Sequence, residues 1–243
     1  MGGTLEDIYY DDEMRLAATR GLQAIMACHG LDPRMDLAGL YTAVSAGFRS
    51  YQDWREAHEL ELPTPRVWAE FIFPNNGLDA ARLAEAAEKL SFYYDTNFYE
   101  RKLRPEAPAA LDALRRSGYR LGLISNVVSL GQVPHSLQIH GLAPYFETVV
   151  TSSALGIRKP NPRIFLEAAR LMGLPPSACA YVGDTISRDV IGARRAGYAL
   201  VIQIKSFLTG VSDRGAADES PDLVVTDLTQ VVGAVAAAAS VRA

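Results

Sequence analysis

From Arg104 onward the chain alternates short apolar runs with segments of helical period, and few folds satisfy that pattern. YRLGLISN, FETVVTS, ACAYVGD, YALVIQI and DLVVTD read as strands. PEAPAALDALRRSG, NPRIFLEAARLMGL and SRDVIGARRAG read as helices between them, and LGQVPHSLQIHGLAPY joins the first two strands. The strands are apolar throughout rather than alternating in and out. That texture predicts an α/β fold, a Rossmann-like doubly wound parallel sheet covered on both faces. In such a sheet reactive groups gather at the carboxyl ends of the strands. SDRGAADESPD is the one polar loop late in the chain.

Residues 11–101 have a different texture. DDEMRLAATRGLQAIMACHG, DLAGLYTAVSAGFRSYQDWREAH and LDAARLAEAAEKLSFYYDTNFYE place apolar residues three and four apart, and PTPRVWAEFIFPNNG is a helix boxed in by prolines and a turn. No strand is expected there. A length of 243 residues suits one large domain, or a core with a smaller insertion.

Composition removes several function classes. The net charge is −4 with no basic run, which argues against nucleic-acid binding. No apolar stretch reaches the ~20 residues that span a bilayer. The acidic opening MGGTLEDIYYDDEM has no signal-peptide core, and a cytoplasmic protein is expected. Cys28 and Cys179 lie far apart and are expected to be buried thiols of a reducing compartment. The Ala/Val-rich end is expected to be a docked helix.

Three strand-end or post-strand signals carry chemistry: Ser125 with Asn126, Lys159 in GIRKPNPRIF, and Asp184 with Asp189 in GDTISRDVIGARRAG. A serine hydroxyl and neighbouring N–H groups can bind phosphoryl oxygens. A lysine is a compact cation for a phosphate or a nucleophilic carboxylate. Paired carboxylates suit Mg²⁺, which takes oxygen ligands and keeps several waters. Each also has a structural reading: Ser125 and Asp184 as helix caps, Lys159 as a solvated side chain. Only four of the 24 basic residues are lysines, so a lysine at this position is mildly informative.

In this order the set resembles motifs two, three and four of the haloacid dehalogenase superfamily. The resemblance implies Ser125 as the phosphate-binding hydroxyl with Asn126 beside it, Lys159 as the charge-balancing lysine, Asp184 as a Mg²⁺ ligand and Asp189 as a second Mg²⁺ ligand or water-holder. It makes 1–10 and 102–243 the core domain and 11–101 an inserted α-helical cap. Gly3-Thr4-Leu5 aligns with the end of motif one, which makes Thr4 a phosphate contact and the Gly2 carbonyl a metal ligand. The implied activity is Mg²⁺-dependent hydrolysis of a small phosphorylated metabolite by a monomer or homodimer.

Motif one departs from the pattern. The aligned nucleophilic aspartate would stand just before Met1, and the acid/base aspartate falls on Gly2. The first, central strand is then missing from this chain. Its loss would leave two buried sheet edges unpaired, which favours a start upstream over a true truncation. Asp7, Asp11 and Asp12 are candidates to replace the acid/base carboxyl, or else helix-start acids. Dehalogenase chemistry is the enzymatic alternative, although Gly-Asp at motif four argues for metal and phosphate. A phosphonatase would need a cap lysine, and only Lys89 lies there. A catalytically dead binding or assembly protein is the alternative outside enzymology. Aromatics around Trp54, 68–73 and 92–99 are candidates to line the site, most of them as cap core. His58, His135 and His140 show no metal spacing.

Overall fold

The computed structural model describes residues 1–206, 209 and 219–242, with side chains to 240, so most of the expected polar loop (212–218) lies outside the described residues. Five parallel strands follow the expected order: β3 (Gly122–Ser125), β4 (Thr148–Thr151), β5 (Ala180–Gly183), β6 (Leu200–Ile204) and β7 (Leu223–Val225). They form two separate ladders, β3-β4 and β5-β6-β7. Helices α5 (Ala107–Arg116), α6 (Gln132–Ile139) and α10 (Thr229–Arg242) cover one face, where Leu111, Leu137 and Val231 meet Leu123 and Ile202. Helices α8 (Pro162–Leu171) and α9 (Ile191–Arg195) cover the other, where Phe165 and Ala193 meet Ile124 and Val201. This two-faced burial explains why the strands read as apolar throughout. The Ala/Val-rich end is the docked helix α10. No helix among the described residues is long and apolar enough to cross a membrane.

Between β3 and β5 lies an apolar slot of about 470 Å³. Leu123 and Ile124 line one side, Ala180 and Val182 the other, and Met1 and Leu5 also border it. Among the described residues no ladder joins the two strands across it.

The helical stretch packs around its own core. Helices α1 (Asp12–Cys28), α2 (Leu37–His58), α3 (Thr64–Val67) and α4 (Ala80–Asn97) bury Leu22, Leu40, Val67 and Leu90, and among the described residues outside the helical stretch this cluster takes only Val128. Three helices begin on an aspartate whose side chain accepts a first-turn N–H: Asp11 from Met14, Asp36 from Gly39, Asp79 from Arg82. One ladder was not foreseen. β1 (Glu6–Tyr9) pairs antiparallel with β2 (Glu100–Leu103), so both crossings into the helical stretch run side by side. Its register depends on residues more than ninety apart, which local pattern cannot show.

The cysteine expectation is corrected: Cys28 is exposed and Cys179 is half-buried. Cys28 ends α1 on its solvent side, while Leu22 and Met26 face inward.

Buried carboxylates fasten the helices to the sheet. Asp95 accepts the N–H of Ser129 at 2.8 Å and of Val128 at 3.2 Å, just before α6. Glu61 accepts from Tyr51 at 2.6 Å and from Ser152 at 2.8 Å. Its backbone also binds the loop that carries Lys159, through the Glu61 N–H to the Gly156 carbonyl at 3.0 Å. Burial pushes the Asp95 carboxyl up to about 6 from 3.8, although Ser129, Arg101 and Arg55 pull it down. Ionising it therefore costs stability. Relative to Asp95→Asn, the parent should lose stability as pH rises between 3.8 and about 6. The loss should be at most about 3 kcal/mol, at ~1.4 kcal/mol per pH unit. Urea melts of both proteins across that window check this, and parallel profiles would refute it.

Candidate active site

The carboxyl ends of β3 and β5 open onto a cavity of about 100 Å³. Ser125, Asn126, Lys159, Asp184, Asp189 and Gly2 line it, so six of the seven residues singled out in the sequence meet there. Thr4 does not; it borders the apolar slot instead. Arg101, Arg188, Gln132, Ile8 and Met1 complete the lining.

Lys159 is held from several sides. Its ammonium lies 2.6 Å from Asp189 Oδ1 and 3.1 Å from the Tyr181 hydroxyl. Tyr181 in turn donates to the same Asp189 oxygen at 2.8 Å. The other oxygen accepts the Thr185 N–H and hydroxyl at 3.1 and 2.8 Å. The Asn126 amide clamps the Lys159 backbone, donating to its carbonyl at 3.0 Å and accepting its N–H at 2.9 Å. Asn126 is thus a positioning residue for Lys159, and these bonds use its amide.

Two glycines make the carboxylates fit. A Cβ on Gly183 would overlap the Asp189 side chain, which packs against the end of β5. Gly3 has φ +81, and a Cβ there would overlap the Asp184 carboxylate. Asp189 rides on a wide π-helical turn, Ile186–Val190. Asp184 follows β5, and its carbonyl accepts from Gln203 at 3.1 Å and Thr209 at 2.8 Å.

The two carboxylates differ electrostatically. Burial opposes ionisation of Asp189, but the Lys159 ammonium, Arg188 and the Thr185 hydroxyl together outweigh it and hold this carboxyl below the usual range. Burial and then the Asp189 charge push Asp184 up; Arg188, Lys159 and the Ser206 hydroxyl oppose that only in part. Burial and Asp189 also push the Tyr181 hydroxyl well above its ordinary value, so it stays a neutral donor.

The donor set fits a small hard cation. Asp184 is a buried carboxylate whose charge its neighbours leave incompletely balanced, and the second carboxylate and Gly2 border the same space. Among the described residues no cluster of three or more Asp, Glu, His or Cys exists. Mg²⁺ needs only one or two carboxylates and keeps waters.

The sequence matches the haloacid dehalogenase-like hydrolase family over residues 22–197. The chain belongs to that family. Among its haloacid dehalogenase-like relatives is a glyceraldehyde 3-phosphate phosphatase of Methanopyrus kandleri, 30% identical over 196 residues, 81% of this chain and 79% of that one. A phosphoserine phosphatase of Thermus thermophilus is 39% identical over 189 residues, 73% and 71% of the two chains. Two solved structures share the fold. A 2-haloacid dehalogenase from Pseudomonas syringae pv. Tomato superposes with a TM-score of 0.62 at 22% identity, over 98% of this chain and 96% of that one. A phosphatase of this family from Thermococcus onnurineus gives 0.57 at 21% identity, over 97% and 94%.

The candidate replacements for the acid/base carboxyl are engaged elsewhere. Asp7 pairs with Arg104 at 3.0 Å, Asp11 caps α1, and Asp12 accepts from Tyr41 at 2.7 Å. None of them lines the cavity. Neither does any residue of the three aromatic segments, most of which pack in the helical core. Lys89 is exposed. His58 stacks on Trp54, and His140 lies 3.2 Å from the buried Glu6. The residues missed in the sequence are Arg101, Gln132 and Arg188. Arg188 adjoins Asp189 and was within reach; Arg101 arrives only through the β1–β2 register, where it faces Ile8.

Removing Lys159 would strand a buried charge. Lys159→Met should cost about 3–5 kcal/mol, the range for breaking a buried pair. Lys159→Met combined with Asp189→Leu should recover much of that loss. Urea denaturation of the two variants tests this, and equal stability of both would refute it.

Proposed function

We propose that the chain is the body of a Mg²⁺-dependent phosphatase acting on a small phosphorylated metabolite. The observation that carries this reading is the convergence of Ser125, Lys159, Asp184 and Asp189 on one cavity. The relatives named as phosphatases of small phosphorylated compounds support it. The helices of 11–101 serve as a cap over a core formed by 1–10 and 102–243. The protein works in the cytoplasm, as a monomer or homodimer, without nucleic acid or membrane.

In this reading the nucleophile is an aspartate just before Met1, at the end of a strand that fills the apolar slot. A strand there would satisfy the edges of β3 and β5 and lead directly into Met1. The aspartate attacks phosphorus and forms an aspartyl-phosphate, which water then cleaves. Lys159 balances the charge of that carboxylate and of the phosphoryl group. Ser125 donates its hydroxyl to a phosphoryl oxygen. Asp184 and the Gly2 carbonyl would hold Mg²⁺, with Asp189 beside them as a second ligand or water-holder once it gives up one of its present donors, and the cation would neutralise phosphoryl charge. Thr4, expected as a phosphate contact, borders the slot that this strand would fill.

The test uses protein extended upstream to include an in-frame apolar run ending in aspartate. It should hydrolyse p-nitrophenyl phosphate only with Mg²⁺. Asp184→Asn should lower that rate by roughly 10²-fold or more while leaving the thermal melt intact. No hydrolysis by the intact, folded protein would favour a binding or assembly role. Unchanged activity in the variant would remove the metal assignment.

A further inference from the structure

Gly2 places no carboxyl in the cavity, yet the space beside it is filled. A Cβ at Gly2 would overlap Ile8 Cδ1 and would lie 3.0 Å from Arg101 Nη1. Arg101 sits opposite Ile8 in the β1–β2 ladder and lines the cavity with Ser125, Lys159 and Asp184. Its guanidinium is fixed. Nε donates to the Asp95 carbonyl at 2.9 Å, and Nη1 donates to Glu6 Oε2 at 3.1 Å. Glu6 is fully buried and shared with His140. The fork is therefore built into the wall and is not a loose surface arginine.

A guanidinium does not give up its proton, so it cannot act as a general acid. It can bind an anion, and it matches a carboxylate with two parallel N–H donors. A leaving alkoxide must be protonated as it departs. A leaving carboxylate need not be.

We propose that Arg101 receives the leaving group as an anion, and that the site takes acyl phosphates, whose leaving group is a carboxylate. This rests on the phosphatase reading above. As the nucleophile's oxygen bonds to phosphorus, the bond from phosphorus to the acyl oxygen breaks. Its electron pair stays on that oxygen, giving a carboxylate that pairs with Arg101, and no proton is consumed. Water then releases phosphate and gives one proton to solvent. Arg101 is a catalytic residue in this scheme, and Glu6 and the Asp95 carbonyl position it.

Binding tests this without turnover, on the 243-residue chain in saturating Mg²⁺. Phosphonoacetate carries a carboxylate beside its phosphonate, and methylphosphonate lacks one. By titration calorimetry phosphonoacetate should bind roughly tenfold tighter or better, the worth of a charge-assisted hydrogen bond. In Arg101→Ala the two should bind within about twofold, all of that gain being lost. Arg101→Lys, which keeps the charge but not the fork, should fall between them and guards against misfolding of the alanine variant. Equal binding of the two ligands by the parent overturns the acyl-phosphate assignment and leaves the phosphate site standing. A preference that survives in a folded Arg101→Ala overturns the role of Arg101. If neither ligand binds, the phosphate site fails and this inference fails with it.

Discussion

The ion pair between Lys159 and Asp189, 2.6 Å long and almost wholly buried, organises the site. Two charges out of water are tolerated only when their remaining valences are met. Here Tyr181 and Thr185 fill the carboxylate, and Asn126 fixes the lysine backbone. These partners come from β5, the turn after it, the end of β3 and the loop before α8. The pair thus ties the β3-β4 ladder to the β5-β6-β7 ladder at the end where chemistry is placed. It also explains why the neighbouring Asp184 differs from Asp189. One carboxylate has a full set of donors, and the other is buried next to a negative charge without a full counterweight.

Much of the sheet was legible because burial on both faces writes continuous apolar runs into the sequence. Ser125 and Asp184 were legible because strand ends are marked by a change from apolar to polar residues, and Lys159, eight residues past the end of β4, was legible from its place in GIRKPNPRIF. What escaped depends on distance in sequence. The β1–β2 ladder joins residues some ninety positions apart, and its strands are mostly polar, so no period marks them. Arg101 could not be assigned to the cavity without that register. Asn126 was visible as a residue, but its task of holding the Lys159 backbone depends on packing that local pattern does not encode. The same limit applies to Cys28. A thiol on an amphipathic helix is buried or exposed by the helix's rotation, and half a turn of phase reverses the answer.

The slot between β3 and β5 and the cavity at its end are two views of one arrangement. Apolar side chains line the slot, while the cavity is polar and charged. The change occurs within a residue or two, as Ile124 gives way to Ser125 and Gly183 to Asp184. A low-dielectric wall this close to buried charges strengthens each electrostatic contact above what the same residues would give in water.

The paired crossings of β1 and β2 have a mechanical consequence. Two single tethers would let the helical bundle twist and slide over the sheet independently at each connection. Hydrogen-bonded side by side, they form one ribbon, stiff against shear along its length and soft mainly to flexing across its face. Ile8 and Arg101 are opposite rungs of that ribbon. Any tilt of the bundle is therefore transmitted to the cavity wall as a single coordinated displacement.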